Sequence, residues 1–156
     1  MEAHAVYCHA AVSTGKGGDV QHVFWQLSQA VWALETSLQT RGHKFIEDPR
    51  LGFLNASPAN IGTALRASVY VKLVRLGQQP GFEDLVRRLR LIPRSDYPQT
   101  DRRYTGIFDI ANAEALGKSE VELINVMIRG VAKLIELEKR LENGEELDLE
   151  QECREY

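Results

Sequence analysis

The chain has 156 residues, enough for one domain and too few for two ordinary ones. Its composition, 44% hydrophobic and 26% charged, is typical of a globular protein, and a formal net charge of −3 argues against a duplex nucleic-acid binder, which needs a basic face. The chain has no apolar run of about 18 residues that could span a membrane, and we expect no secretory signal. Cys8 and Cys153 lie near opposite ends, which favours a reduced, cytoplasmic protein.

The first predicted elements are a strand over residues 4–12 and a long helix from Asp19 to Gly42. Asp19 can accept the free N–H groups of the first helical turn, and glycine adopts the left-handed conformation of a C-terminal cap without steric cost. Trp25 and Trp32, seven residues apart on one face, are interpreted as packing residues. One apolar stripe recurs at three- and four-residue spacing: Val20, Val23, Phe24, Leu27, Val31, Leu34 and Leu38.

Short elements alternate in the middle of the chain. Residues 67–73 are predicted to form a half-buried strand, because Val69 and Val71 alternate with polar or amphipathic neighbours at a period of two. Spacing and composition further predict a strand at 51–54, a helix at 80–89, a polar loop at 95–106 and a strand at 107–110.

The last predicted helix begins at a capping box, in which Ser119 and Glu122 satisfy each other's backbone donors, and it ends at Asn143. The segment that follows, 145–156, is rich in Glu and Asp and is expected to be disordered. The pattern predicts an α+β fold in which an antiparallel sheet is flanked by two long helices. We divide the chain into 1–15, 16–144 and 145–156.

A phosphate-binding function is one interpretation of the residues just before the 67–73 strand. Residues 60–63, Asn-Ile-Gly-Thr, are followed by Arg66, and Arg94 lies at a second boundary between strand and loop. Arginines in such places can contact phosphate oxygens in a bidentate manner. The alternative is that both are ordinary surface residues. No metal site is expected, because the four histidines share no spacing with a third ligand: His4, His9, His22 and His43.

These motifs resemble those of phosphagen kinases of the creatine kinase type, which pass a phosphoryl group between ATP and a guanidino compound. The family signature Cys-Pro-Ser/Thr-Asn-Leu-Gly-Thr corresponds to residues 57–63, and Arg-Ala-x-Val-His-x-Lys-Leu corresponds to residues 66–73. Residues 89–94, 107–112 and 116–123 also match. The resemblance covers residues 16–144 and implies the C-terminal part of a catalytic domain of the glutamine-synthetase-like type. It places Arg66, Arg94 and Asp109 at a site for ATP or ADP with Mg.

The departures from the family pattern lie at positions that take part in catalysis or nucleotide binding in the family. Ser57 stands where the family has a reactive cysteine, and a hydroxyl stays neutral at pH 7 where a thiol can ionise. Tyr70 replaces a histidine near the nucleotide, and residues 95–98, Ser-Asp-Tyr-Pro, replace a glycine-rich loop. The position of the family's acidic catalytic stretch falls on residues 4–8, which hold no carboxylate. We therefore expect a weak remnant of the nucleotide site and no activity in this chain alone.

Two other interpretations stay open. The chain is a non-catalytic module that pairs with an intact family member, or it is a truncated product of an active kinase gene. The family's sheet uses strands from sequence that this chain lacks, so a strand edge should be exposed and invite pairing. A homodimer or another partner is expected on that ground.

Overall fold

The computed structural model describes residues 19–93 and 105–152. Within these ranges no helix has the length and apolar character needed to cross a membrane. The predicted strand at 4–12, most of the loop at 95–106, and Arg94 lie outside the described residues. In chain order the helices and strands are α1 (Val20–Thr40), β1 (Glu47–Asp48), β2 (Gly52–Phe53), β3 (Ser68–Lys72), α2 (Phe82–Arg88), β4 (Leu91–Pro93), β5 (Ile107–Asn112), α3 (Glu120–Glu142) and α4 (Leu149–Glu152).

An antiparallel sheet with the strand order β3-β5-β4 organises the domain. Val71 lies opposite Phe108, and Pro93 lies opposite Ile110, while β1 and β2 pair separately. The prediction of an α+β fold with an antiparallel sheet is confirmed. The predicted strand at 51–54, the helix at 80–89 and the capping box of Ser119 are present as well.

The core lies between one face of the sheet and the helices α2 and α3. Phe82 of α2 contacts Phe108 of β5, with ring centroids 5.0 Å apart. Helix α3 approaches β4 closely at Gly130, where an added Cβ would meet the Leu91 side chain. The largest fully buried side chains are Leu73, Leu76, Leu85, Leu91, Ile110, Leu123, Leu134, Leu137 and Val86.

Helix α1 has the predicted caps but little packing. Asp19 accepts a hydrogen bond from the His22 N–H at 3.0 Å, and Gly42 has φ +77°. None of its residues is buried. The prediction that Trp25 and Trp32 pack is wrong, because their side chains are 59% and 66% exposed. The stripe of apolar residues specifies which face of a helix can be buried, but it does not supply the surface that buries it.

The expectation of disorder in the acidic segment is wrong for residues 145–152. Helix α4 packs there, and Leu149 is only 5% exposed. Its last residue, Glu152, accepts from Arg140 Nη1 at 2.6 Å and from Lys133 Nζ at 3.1 Å. The acidic composition is therefore compensated by basic side chains of α3, of which Arg140 lies 12 positions before Glu152 in the sequence.

Attachment of α4 is expected to weaken in acid. The hydrogen bond from Arg140, and then that from Lys133, lower the pKa of Glu152, although burial opposes the shift. A carboxylate whose pKa is lowered on folding stabilises the fold above its unfolded pKa, about 4.3, and this contribution is lost as pH falls through the folded-state pKa. An NMR pH titration should show the amide signals of Leu149 and Gln151 moving towards random-coil positions below about pH 4. In Glu152→Gln this acid transition should be absent; the same transition in both proteins would contradict the assignment.

Candidate functional site

A loop between β2 and β3 carries residues 57–63, which resemble the phosphagen kinase signature, and is fastened at two points. Gly62 and Phe53 exchange backbone hydrogen bonds of 2.8 and 3.1 Å. Both the N–H and the hydroxyl of Thr63 donate to the Ala115 carbonyl, at 2.9 and 3.1 Å. The loop thereby joins the β1–β2 pair to the segment that follows β5.

Arg66 follows directly in this loop, two residues before β3. Its side chain is exposed, and within residues 19–93 and 105–152 its guanidinium makes no hydrogen bond or ion pair. The peptides on both sides of it are held by Asn112, which is 5% exposed. Asn112 Oδ1 accepts from the Ala67 N–H at 2.7 Å, and Asn112 Nδ2 donates to the Leu65 carbonyl at 3.2 Å.

Asp109 lies on β5, the strand that ends in Asn112. It pairs with Tyr70 across the β3–β5 ladder, and paired residues project from the same face of a sheet. Tyr70 is 62% exposed, whereas Asp109 is 6% exposed. Arg66 thus lies just before β3 and Asp109 lies on the neighbouring strand β5, and exposed Lys72 adds a further positive charge on β3.

The other predicted site residues are less informative. Ser57 is exposed and immediately precedes a 3-10 helix, Pro58–Asn60, and its N–H donates to Asn55 Oδ1 at 2.9 Å. Arg94 and residues 95–98 lie outside the described residues. Among those that are described, no group of three or more His, Cys, Asp or Glu side chains could hold a metal ion.

The sequence interpretation missed Asn112 as part of the site. The residue was visible in the 107–112 motif, but its role depends on carbonyl and amide groups 45 and 47 positions away in sequence. Only the pairing of β3 with β5 brings these groups together.

Comparison with known proteins decides the family. The profile described as ATP:guanido phosphotransferase, C-terminal catalytic domain, matches residues 10–141. The chain belongs to this family. The phosphagen kinase resemblance seen in the signature residues is therefore confirmed, and so is its assignment to the C-terminal catalytic domain.

The proteins similar to this chain include kinases that are named after different guanidino compounds. Creatine kinase B-type from Gallus gallus is 39% identical over 137 residues, which are 88% of this chain and 36% of that enzyme. The crystal structure of a lombricine kinase superposes with a TM-score of 0.77 at 40% identity, over 86% of this chain and 37% of the other. A duplicated taurocyamine kinase from Schistosoma mansoni superposes with a TM-score of 0.71 at 33% identity, over 83% and 18% of the two chains. The chain thus spans little more than a third of the creatine and lombricine kinases.

Proposed function

We propose that this chain is a portion of an ATP:guanido phosphotransferase catalytic domain that weakly binds the phosphates of ADP or ATP and does not transfer a phosphoryl group by itself. The observation that carries the proposal is the position of Arg66. Its exposed guanidinium has no partner in the described part of the chain, and its backbone is tied to the strand that bears Asp109. Arg94 belongs to the same proposed site. Mg²⁺ would arrive with the nucleotide, and a cytoplasmic location is part of the proposal.

The lack of turnover is proposed on electrostatic grounds. Phosphoryl transfer depends on surrounding the transferring group with positive charge and on aligning the attacking and leaving groups. This chain covers 36% of the chicken creatine kinase, so a site built from both halves of such an enzyme would be incomplete here. Ser57 in place of the signature cysteine removes a group that can ionise near neutral pH.

Weak, arginine-dependent binding of MgADP is the first expected result. In an NMR titration the amide signals of the loop before β3 and of β5 should shift, with a dissociation constant of roughly 1 mM, which corresponds to about −4 kcal/mol. Arg66→Ala should weaken binding by about five- to tenfold, because it removes one charge-assisted contact that solvent partly screens. Arg129→Ala, which removes an exposed arginine of α3 and changes the net charge equally, should leave the affinity unchanged. Equal losses of MgADP affinity in both variants would mean that the nucleotide is attracted only by positive charge in general and not by a site at Arg66.

No phosphoryl transfer above background is expected in a coupled assay. The assay would supply MgATP with creatine, lombricine or taurocyamine, the compounds in the names of the relatives. The set of positively charged groups that must surround the transferring phosphoryl group should be incomplete with any of the three acceptors. Turnover by the purified chain that disappears in Arg66→Ala would contradict the proposal and would favour a truncated but active kinase.

A second candidate function is an interaction module, and helix α1 favours it. A helix of 21 residues with no buried residue exposes Trp25 and Trp32, and exposed aromatic surface is typical of protein interfaces. The partner would be an intact family member or a second copy of the chain. Calorimetry separates the two functions, because no heat with MgADP up to millimolar concentration would leave only this one. A monodisperse monomer in light scattering, alone and mixed with an intact family member, would contradict it.

A further inference from the structure

One buried side chain controls the backbone on both sides of Arg66. The carboxamide of Asn112 accepts from the Ala67 N–H at 2.7 Å and donates to the carbonyls of Leu65 and Glu114 at 3.2 and 2.6 Å. The Asn112 N–H also donates to the Ala67 carbonyl at 3.2 Å. The peptides that flank Arg66 are therefore joined to the end of β5 by a single residue.

The loop that Asn112 holds is not one that its sequence would adopt unaided. Ala64 has φ +54°, a left-handed conformation that costs energy for any residue with a Cβ. The contacts around it must therefore impose the conformation. Upstream of Ala64 the loop is fastened at Thr63, and downstream of it by Asn112.

An asparagine meets the chemical requirement of this position because it offers an acceptor and two N–H donors in one plane. An aspartate could still accept from the Ala67 N–H, but its carboxylate would face the carbonyls of Leu65 and Glu114 without a donor. A leucine of similar size would leave all three groups without these bonds. The position thus selects for a carboxamide.

We propose that Asn112 is a positioning residue for the nucleotide site, which holds Arg66 where its guanidinium can meet the phosphate oxygens. The inference rests on the proposed function in that its ligand is the phosphate chain of ADP or ATP. Affinity gained in this way comes from preorganisation, since a loop that is ordered before binding loses less conformational entropy when the ligand binds. Asn112 itself need not touch the nucleotide.

A double-mutant cycle on the whole chain separates positioning from general stability. Asn112→Ala should weaken MgADP binding by about as much as Arg66→Ala, roughly five- to tenfold, and the double variant should be no weaker than Arg66→Ala alone. Asn112→Ser, which keeps a small uncharged hydrogen-bonding group at this position, should lie between wild type and Asn112→Ala and serves if the alanine variant does not fold. Leu149→Ala, which loosens the packing of α4 elsewhere, should not change the affinity. Additive losses, or an unchanged affinity in the Asn112 variants, would overturn the inference.

Amide hydrogen exchange provides a readout that does not depend on nucleotide. The Ala67 N–H should lose at least tenfold of its protection in Asn112→Ala and keep it in Leu149→Ala, when compared at equal global stability. If wild type does not bind MgADP, the proposed function fails, and exchange at Ala67 together with the backbone order parameter of Arg66 then decides the inference. Unchanged values of both in Asn112→Ala would overturn it.

Discussion

Replacement of Glu138 by alanine is expected to lower the free energy of unfolding by about 3–4 kcal/mol. Glu138 lies on α3 and is 5% exposed. Its Oε1 accepts from the Arg75 N–H at 2.9 Å, and its Oε2 accepts from the Leu76 N–H at 2.7 Å. These donors stand at the start of the 3-10 helix Leu76–Gln78, where a helix leaves backbone N–H groups without internal partners.

The large loss of stability is expected because alanine would leave the N–H groups of Arg75 and Leu76 without an acceptor. Leu76 is fully buried, so water cannot replace the carboxylate at its N–H without opening the core. A buried donor without a partner costs about 1–3 kcal/mol, and hydrogen bonds to charged groups are at the upper end of the measured range. Arg75 also donates from Nη1 to the Leu141 carbonyl at 2.9 Å. Glu138→Ala would therefore leave this bond between the turn and α3 but remove the two that Glu138 accepts.

Urea denaturation of three variants checks this prediction. Glu138→Gln keeps one acceptor but turns an N–H₂ group towards a backbone donor, so it should lose about half as much stability as Glu138→Ala. Glu142→Ala, at an exposed position four residues further along α3, should change stability by less than about 0.5 kcal/mol. A loss below about 1 kcal/mol for Glu138→Ala would mean that water reaches the Leu76 N–H.

Elements with a strong local signal could be predicted from the sequence. The capping box of Ser119, the Asp19 cap and the alternation of Val69 and Val71 each depend on residues a few positions apart, and all appear in the structure. The burial of α1 could not be predicted in the same way. An amphipathic pattern states that one face is apolar, whereas burial depends on a second surface, and no residue of α1 is buried in the structure.

The polar residues that organise the structure escaped prediction for a related reason. Glu138 is 62 and 63 positions from the amides that it binds, and Asn112 is 45 and 47 positions from two of its partners. Their residue types are compatible with any exposed position, so no local pattern distinguishes them. Arg66 and Asp109 were assigned to the candidate site through the family motifs, and the structure adds that Asp109 lies on β5 while Arg66 lies in the loop that leads into the neighbouring strand β3.

Replacement of Gly62 by alanine is expected to cost about 3 kcal/mol or more of stability and to abolish detectable MgADP binding. Gly62 has φ +114°, which L-residues with a Cβ rarely adopt. An added Cβ would lie 2.8 Å from the Ala115 carbonyl carbon and from Leu116 Cα, and closer still to the Ala115 oxygen. These are backbone atoms, so the clash cannot be relieved by rotating a side chain.

To relieve this clash, the backbone at residue 62 would have to move away from residues 115 and 116. Nucleotide binding should be lost because this movement would disturb the bonds from Thr63 to the Ala115 carbonyl, which fasten the loop that carries Arg66. Gly117→Ala is a matched control: its φ is also positive, +79°, but nothing lies within 4 Å of an added Cβ. It should cost only about 1–2 kcal/mol, the price of the left-handed conformation itself, and leave nucleotide affinity unchanged. Urea denaturation and the MgADP titration measure the two effects together. Similar losses in both variants would show that backbone conformation alone, rather than the close approach of residues 62 and 115, determines the behaviour of the loop.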